Sequence, residues 1–166
     1  MSDTTARLAL PLIAAGQAQK ELFHNEALAR IDALVAPAVA AMLVNDPPAS
    51  PVPGQCWIIG EAPTGAWAGL PQKLAAWTDG GWRIVAPLAG MQVWSIADGL
   101  FARFDGAVWT LGDLVARRVL IGGVAVVGLQ QPPIFSPSGG AVIDAEGRGA
   151  IAAILAALRG HGLIAG

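Results

Sequence analysis

Hydrophobic and polar positions change rhythm several times along this chain, and each change predicts an element. Residues 1–16 begin polar and pass into Leu8-Ala9-Leu10-Pro11-Leu12-Ile13. Pro11 disfavours helix just as the apolar character starts, so this stretch reads as an extended arm that needs a partner surface to cover it. From 17 to 35 the pattern turns helical, with an apolar stripe of Ala27, Ile31 and Leu34 flanked by Leu28 and Val35. The stripe continues backwards through Lys20 and His24, so its N-terminal half is polar, which is odd for a helix resting on a core. Pro37 ends or kinks the helix, and 38–44 reads as a short further turn or a strand. Pro47, Pro48, Pro51 and Pro53 then mark 45–54 as an extended linker.

Residues 55–112 form a tryptophan-rich β module, with Trp57, Trp67, Trp77, Trp82 and Trp94 inside it and Trp109 near its end. Brief apolar segments broken by Gly, Pro and Asp predict strands near 55–59, 74–78, 82–86, 91–96, 100–104 and 107–111. Two pieces resemble each other, Ala76-Trp77-Thr78-Asp79-Gly80-Gly81-Trp82 and Arg103-Phe104-Asp105-Gly106-Ala107-Val108-Trp109. Each sets two aromatics around a glycine-containing turn, a hairpin signature with aromatics facing across the strands. Trp67 sits in a loop between Gly65 and Gly69, either folded back as a lid or exposed for a ligand. The span 113–143 holds two β-branched runs around Gly122-Gly123, a two-residue hairpin, followed by Pro- and Gly-rich connectors. In 144–166, Asp144 caps a final helix from 145 to 159, ended by Gly160 as its C′ residue. Its Ile151, Ile154, Leu155 and Leu158 seam packs either with symmetry mates in a small parallel bundle or back on its own domain. The fold class is α+β: an N-terminal helix, a central antiparallel module of short hairpins, and a C-terminal hairpin and helix, in an elongated symmetric oligomer.

Composition sharpens the last point. The chain of 166 residues is 54% hydrophobic and 13% charged, about half the roughly 25% charge of a typical soluble domain. Alanine inflation from a GC-rich genome explains part of this, and apolar surface covered by other subunits explains more. A net charge of −2 with scattered basic residues gives no footprint for nucleic acid. One cysteine, Cys56, excludes an internal disulfide and a cysteine-based zinc site. No apolar run reaches membrane-span length, and 8–15 lacks the flanks of a secretory signal, so cytoplasmic synthesis without a signal peptide is expected.

The chemistry available is sparse. Glu21 and His24 have the Glu-x-x-His spacing of di-iron bundles, but the motif needs a second copy and the chain has two histidines in all. A hydrogen-bonded structural histidine is the preferred reading, and no catalytic residue, metal or cofactor is assigned. Glu61, Asp79, Asp98 and Asp105 are the acids available to a glycosidase pair. Three of them adjoin glycine, where aspartate serves a turn, and turn tips are poorly suited to holding a retaining pair. Glycan stacking on Trp67, Trp77, Trp82 and Trp109 is more plausible, with Asp79, Asp105 and Gln72 for polar contacts. Trp67 alone has a positional reason to be exposed.

Gly16-Gln17-Ala18-Gln19-Lys20-Glu21, then His24-Asn25-Glu26-Ala27-Leu28 and Asp32-Ala33-Leu34, resemble an uncharacterised domain family encoded in prophages and gene transfer agents. The likeness continues through Pro48-Ala49-Ser50-Pro51, Cys56-Trp57-Ile58-Ile59-Gly60, Thr64 to Gly69 and Ala76-Trp77…Gly81-Trp82, covering about 7 to 110. The closing segment 151–164 is also similar to the ends of such proteins. The resemblance implies a virion structural protein of a particle appendage, a head spike or tail fibre. Its partners would be its own copies, as a trimer or pentamer, then capsid or fibre subunits, and host surface polysaccharide. The docking and oligomer candidates are Leu8, Leu10, Leu12, Ile13, His24, Ile31, Ile151, Ile154, Leu155 and Leu158. A carbohydrate-binding module is the alternative, and a capsule-degrading hydrolase ranks third.

Overall fold

The structure, a computed structural model, describes residues 3–14, 16, 20–140 and 144–165. It is α+β and divides into two compact units, Met1–Asp113 and Leu114–Gly166.

The first unit is built on two small sheets. Strands β2 (Cys56–Ile58), β3 (Leu74–Thr78) and β4 (Gly81–Val85) form an antiparallel sheet in that order. Strands β5 (Gln92–Ser95), β6 (Leu100–Phe104) and β7 (Trp109–Leu111) form another, edged by β1 (Ala38–Val39) running parallel to β5. The two repeated pieces are hairpins as their sequences predict, with Trp77 opposite Trp82 and Phe104 opposite Trp109. In the second turn, Asp105 Oδ1 accepts from the amides of Ala107 at 2.8 Å and Val108 at 2.9 Å. Those amides hold its carboxyl below the usual carboxylate range.

The segment from Pro37 to Val44 stitches the sheets together. On one side the amides of Trp94 and Ile96 donate to the carbonyls of Pro37 and Val39. On the other, Ala40 donates to Cys56 O, Ile58 to Ala41 O, and Val44 to Ile58 O. The chain runs so close to β2 here that a Cβ on Gly60 would collide with the Leu43 carbonyl and the Asn45 side chain. The proline-rich stretch that follows is pinned rather than free. Asn45 O accepts from Thr64 N at 2.9 Å, and Asp46 Oδ1 from Thr64 Oγ1 at 2.5 Å.

Alternation along β2 and β3 fills both faces of the three-stranded sheet. Cys56, Ile58, Leu74 and Ala76 meet Val39, Val93, Ala102, Phe104 and Trp109 in one core. Trp57, Ile59 and Ala75 join Trp67, Trp77 and Trp82 in the other.

Helix α1 spans Lys20–Leu34, and the predicted start at 17–19 lies outside the described residues. The arm before it is not extended. Thr4 pairs with Pro11 in an antiparallel bridge, the Thr5 amide donates to Leu10 O, and Ala9 takes a left-handed φ of 52°. This closed loop folds onto α1.

The second unit comprises a hairpin, a connector and a helix. Strands β8 (Val119–Ile121) and β9 (Val124–Val127) turn through Gly122 and Gly123, both at positive φ, as a type I′ turn requires. Helix α2 (Ala145–Gly160) is capped by Asp144, whose Oδ1 accepts from Gly147 N at 2.8 Å. Gly160 lies inside the helix, and Gly162, at φ +68°, takes the left-handed C′ position instead. The amide of Leu163 reaching back to Leu158 O sets that register. A parallel bridge joins Gln131 to Ile164.

Candidate functional site

The best-formed polar constellation of the first unit lies where the arm meets α1. Asp32, buried in the last turn of the helix, accepts from Thr5 Oγ1 at 2.7 Å, Arg7 N at 3.0 Å and Leu8 N at 2.6 Å. A carboxylate in that turn opposes the helix dipole, and α1 has no basic residue there to offset it. The arm supplies one. The Arg7 guanidinium donates to the carbonyls of Asp32, Ala33 and Ala36, at 3.0–3.1 Å. Two turns earlier, Asn25 grips Ile13 through both amide atoms, each at 2.9 Å. Glu26 pairs with Arg83 of β4 at 2.5 Å and with Arg30 at 3.1 Å. Burial raises the Glu26 pKa, but the bonds and charges of the two arginines outweigh it, leaving it below its ordinary value.

The inner face of α1 thus carries Asn25, Glu26 and Asp32 beside Leu22, Ala29 and Ala33, while the C-terminal half of the outer face is apolar. Ile31, Leu34 and Val35 are exposed, as are Ala27 and His24, and Phe23 is 81% exposed. Sequence periodicity located the stripe but not the side it faces. Asp32, Asn25 and Arg7 were missed as structural keys, although an unpaired aspartate in a helix's last turn was a signal that something must cap it.

Beneath the inner face lies a cleft of about 720 Å³, bounded by Leu12, Leu22, Trp77, Asp79 and Arg83 among others. Its volume suits a small ligand, but Asp32 is taken by the arm and Glu26 by Arg83. Cys56, also on its wall, is buried, which pushes its thiol up to about 11, opposed by Arg7 and aided by Asp32. A thiol so placed is a packing group rather than a nucleophile.

The predicted glycan-stacking set separates. Trp67 is fully buried, a lid rather than a platform. A short 3₁₀ turn, Gly65–Trp67, swings its ring into Trp57 and Trp82, with centroids 6.3 and 5.0 Å away. Trp109 is buried too, donating Nε1–H to the Gln72 carbonyl at 2.9 Å. Trp77 and Trp82 are half-buried against each other at 4.8 Å. The exposed aromatic surface lies elsewhere, on the outer face of β5 and β6. There Trp94 and Phe101 are 37% and 60% exposed and meet edge-to-face at 4.9 Å. Register puts Gln92, Arg103 and Thr110 on that same face.

Of the docking candidates, Leu8 is exposed while Leu10, Leu12 and Ile13 are half-buried in the folded loop. In the second unit Ile151 and Ile154 are exposed, Leu158 is half-buried, and Leu155 is buried. Three of the acids considered for a glycosidase lie in turns: Asp79 between β3 and β4, Asp105, and Asp98, which accepts from Ser95 Oγ at 2.5 Å. Among the described residues there is no group of three or more His, Cys, Asp or Glu placed to hold a metal, and no helix is long and apolar enough to cross a membrane.

Residues 24–110 match a family model described as protein of unknown function (DUF2793). The span opens inside α1 and closes inside β7, so it takes in both cores of the first unit. No curated protein matches the chain.

Proposed function

The chain belongs to the DUF2793 family, and from that premise we propose that it is a structural protein of a phage-like particle or gene transfer agent. It forms the base or shaft of a head spike or fibre on the particle surface and helps attach the particle to its host. It works as a homo-oligomer bound to other particle proteins, and no catalytic step is assigned to it.

The observation that carries the assembly reading is the β8–β9 hairpin. Every residue of both strands is exposed, although all seven are aliphatic. A lone two-stranded hairpin is marginal in water. One with apolar side chains on both faces fits a partner surface, and a symmetric assembly provides one. The motif likeness to appendage proteins supports the particle.

Native mass spectrometry of the full-length chain tests this, followed by co-sedimentation with particles from producing cells. A discrete trimer or pentamer that travels with particles is expected. A folded monomer at micromolar concentration would overturn the reading.

A second reading, polysaccharide binding, is favoured by the exposed Trp94–Phe101 pair with Gln92, Arg103 and Thr110 beside it. Sugars stack on such faces and take hydrogen bonds from such neighbours. Trp94→Ala should abolish retention on host polysaccharide with the oligomer intact. Unchanged retention would dismiss this face.

A further inference from the structure

The outward stripe of α1 has a spacing that says what covers it. Lys20, His24, Ala27, Ile31 and Leu34 alternate steps of four and three residues, which places His24 and Ile31 at the a positions of a heptad and Ala27 and Leu34 at d. Leu28 and Val35 fall at e, Phe23 and Arg30 at g. All of the a and d side chains from Lys20 onward are exposed in the single chain.

Resting on the assembly reading above, we propose that α1 is the axial helix of the oligomer. Copies of α1 from rotationally related chains pack in parallel along Ala27, Ile31 and Leu34. A second copy fits this surface better than an unrelated protein for three reasons. A heptad seam meets an identical helix in register along its whole length. In parallel alignment the flanking g-to-e contacts pair Phe23 with Leu28 and Arg30 with Val35, so no like charges meet on the flanks, and Lys20, the d residue at the helix start, lies outside the 27–34 seam. The exposed apolar area of the stripe is on the order of 400 Å² per chain, taking a Phe side chain as about 200 Å². That is about half of what one partner gives a standard interface, and it falls within the roughly 300–600 Å² of apolar patches that are often functional.

Leu28 and Val35 at e and Phe23 at one g position widen the seam beyond the narrow stripe of a two-stranded coil, which suits three or more chains. Two heptads would not hold a free helix. Here the Arg7 clamp and the Glu26–Arg83 pair already fix α1 on its own unit, so association need not order it. His24 supplies the polar a layer that sets the register.

Cysteine cross-linking tests the seam in the full-length protein. Cys56, the chain's one cysteine, is buried, so the background is silent. Ile31→Cys should form inter-chain disulfides under mild oxidation about tenfold faster than Ala62→Cys, an exposed position away from α1. Ile31→Asp should raise the concentration needed for assembly by at least about tenfold, with the near-ultraviolet tryptophan signal retained. If Ile31→Asp loses that signal, the cross-linking rate decides. An intact oligomer in which Ile31→Cys links no faster than Ala62→Cys would overturn this proposal and leave the assembly reading standing. A monomeric wild-type chain would overturn both.

Discussion

The two units of this chain use similar hydrophobic material in opposite ways. Met1–Asp113 turns it inward: both faces of the β2–β3–β4 sheet are covered, and Ile58, Leu74 and Trp67 are sealed from solvent. Leu114–Gly166 buries Leu155 and Ile164 among its described residues, and leaves Leu114, Leu129 and Phe135 exposed beside the β8–β9 hairpin. The first unit has the core of a self-sufficient fold. The second leaves most of its large apolar side chains exposed. The lesson is that mean hydropathy alone does not distinguish a chain that is all core from one whose core is shared.

Breaking the contrast at its strongest point means opening the first unit. Trp67→Ala should cost about 4 kcal/mol, within the range for large-to-small changes at fully packed sites. Urea unfolding followed by fluorescence measures it, and a loss under about 1 kcal/mol would mean the tryptophan cluster is not the core it resembles. Next comes Asp32→Ala, which strands the amides of Arg7 and Leu8 and should cost about 2–3 kcal/mol. Hydrogen exchange should accelerate at those two amides first. Unchanged exchange there would mean the arm is held by something else.

A smaller effect belongs to Glu26. Its folded pKa lies below the ordinary value of 4.5, so the arginine pairs stabilise the fold above that pH and the contribution disappears as pH falls through the folded value. Because the pair is partly solvated, Glu26→Gln should cost under about 1 kcal/mol at pH 7, shrinking as pH falls through the folded value. A thermal shift that does not shrink on acidification would remove charge pairing as the cause. Smallest of all, Val124→Ser should change unfolding of the first unit by less than about 0.5 kcal/mol. In the same protein it should make protection of 119–127 more dependent on concentration. Protection of the hairpin that ignores concentration would show that the second unit is complete by itself.

Sequence reading found the hairpins because their aromatics and turn residues lie within a few positions of one another. It also found the stripe of α1, since period is local. What it missed was long-range. Gly65 and Gly69 left Trp67 open as a lid or an exposed ring, and the choice of lid depends on Trp57 and Trp82, against which the short turn drives it. Pro11 ruled out a helix correctly but could not show that Thr4 lies across from it, nor that Ala9 turns left-handed between them. Of the site, the aromatic candidates were named and the exposed pair, Trp94 and Phe101, was not. Strand alternation becomes readable only when one face is known to be inside.

The Pro37–Val44 segment has a consequence for the order in which this protein can be made. It hydrogen-bonds to β2, close by in sequence, and to β5, which follows only after the whole tryptophan hairpin. During synthesis the three-stranded sheet can close early, with one edge of that segment still waiting. The four-stranded sheet cannot start until Trp94 and Ser95 have left the ribosome. Such distant pairing slows folding in general. The last steps of the first unit are thus the docking of β5 against a strand already half in place and the addition of β6 and β7, whose Trp109 closes the core.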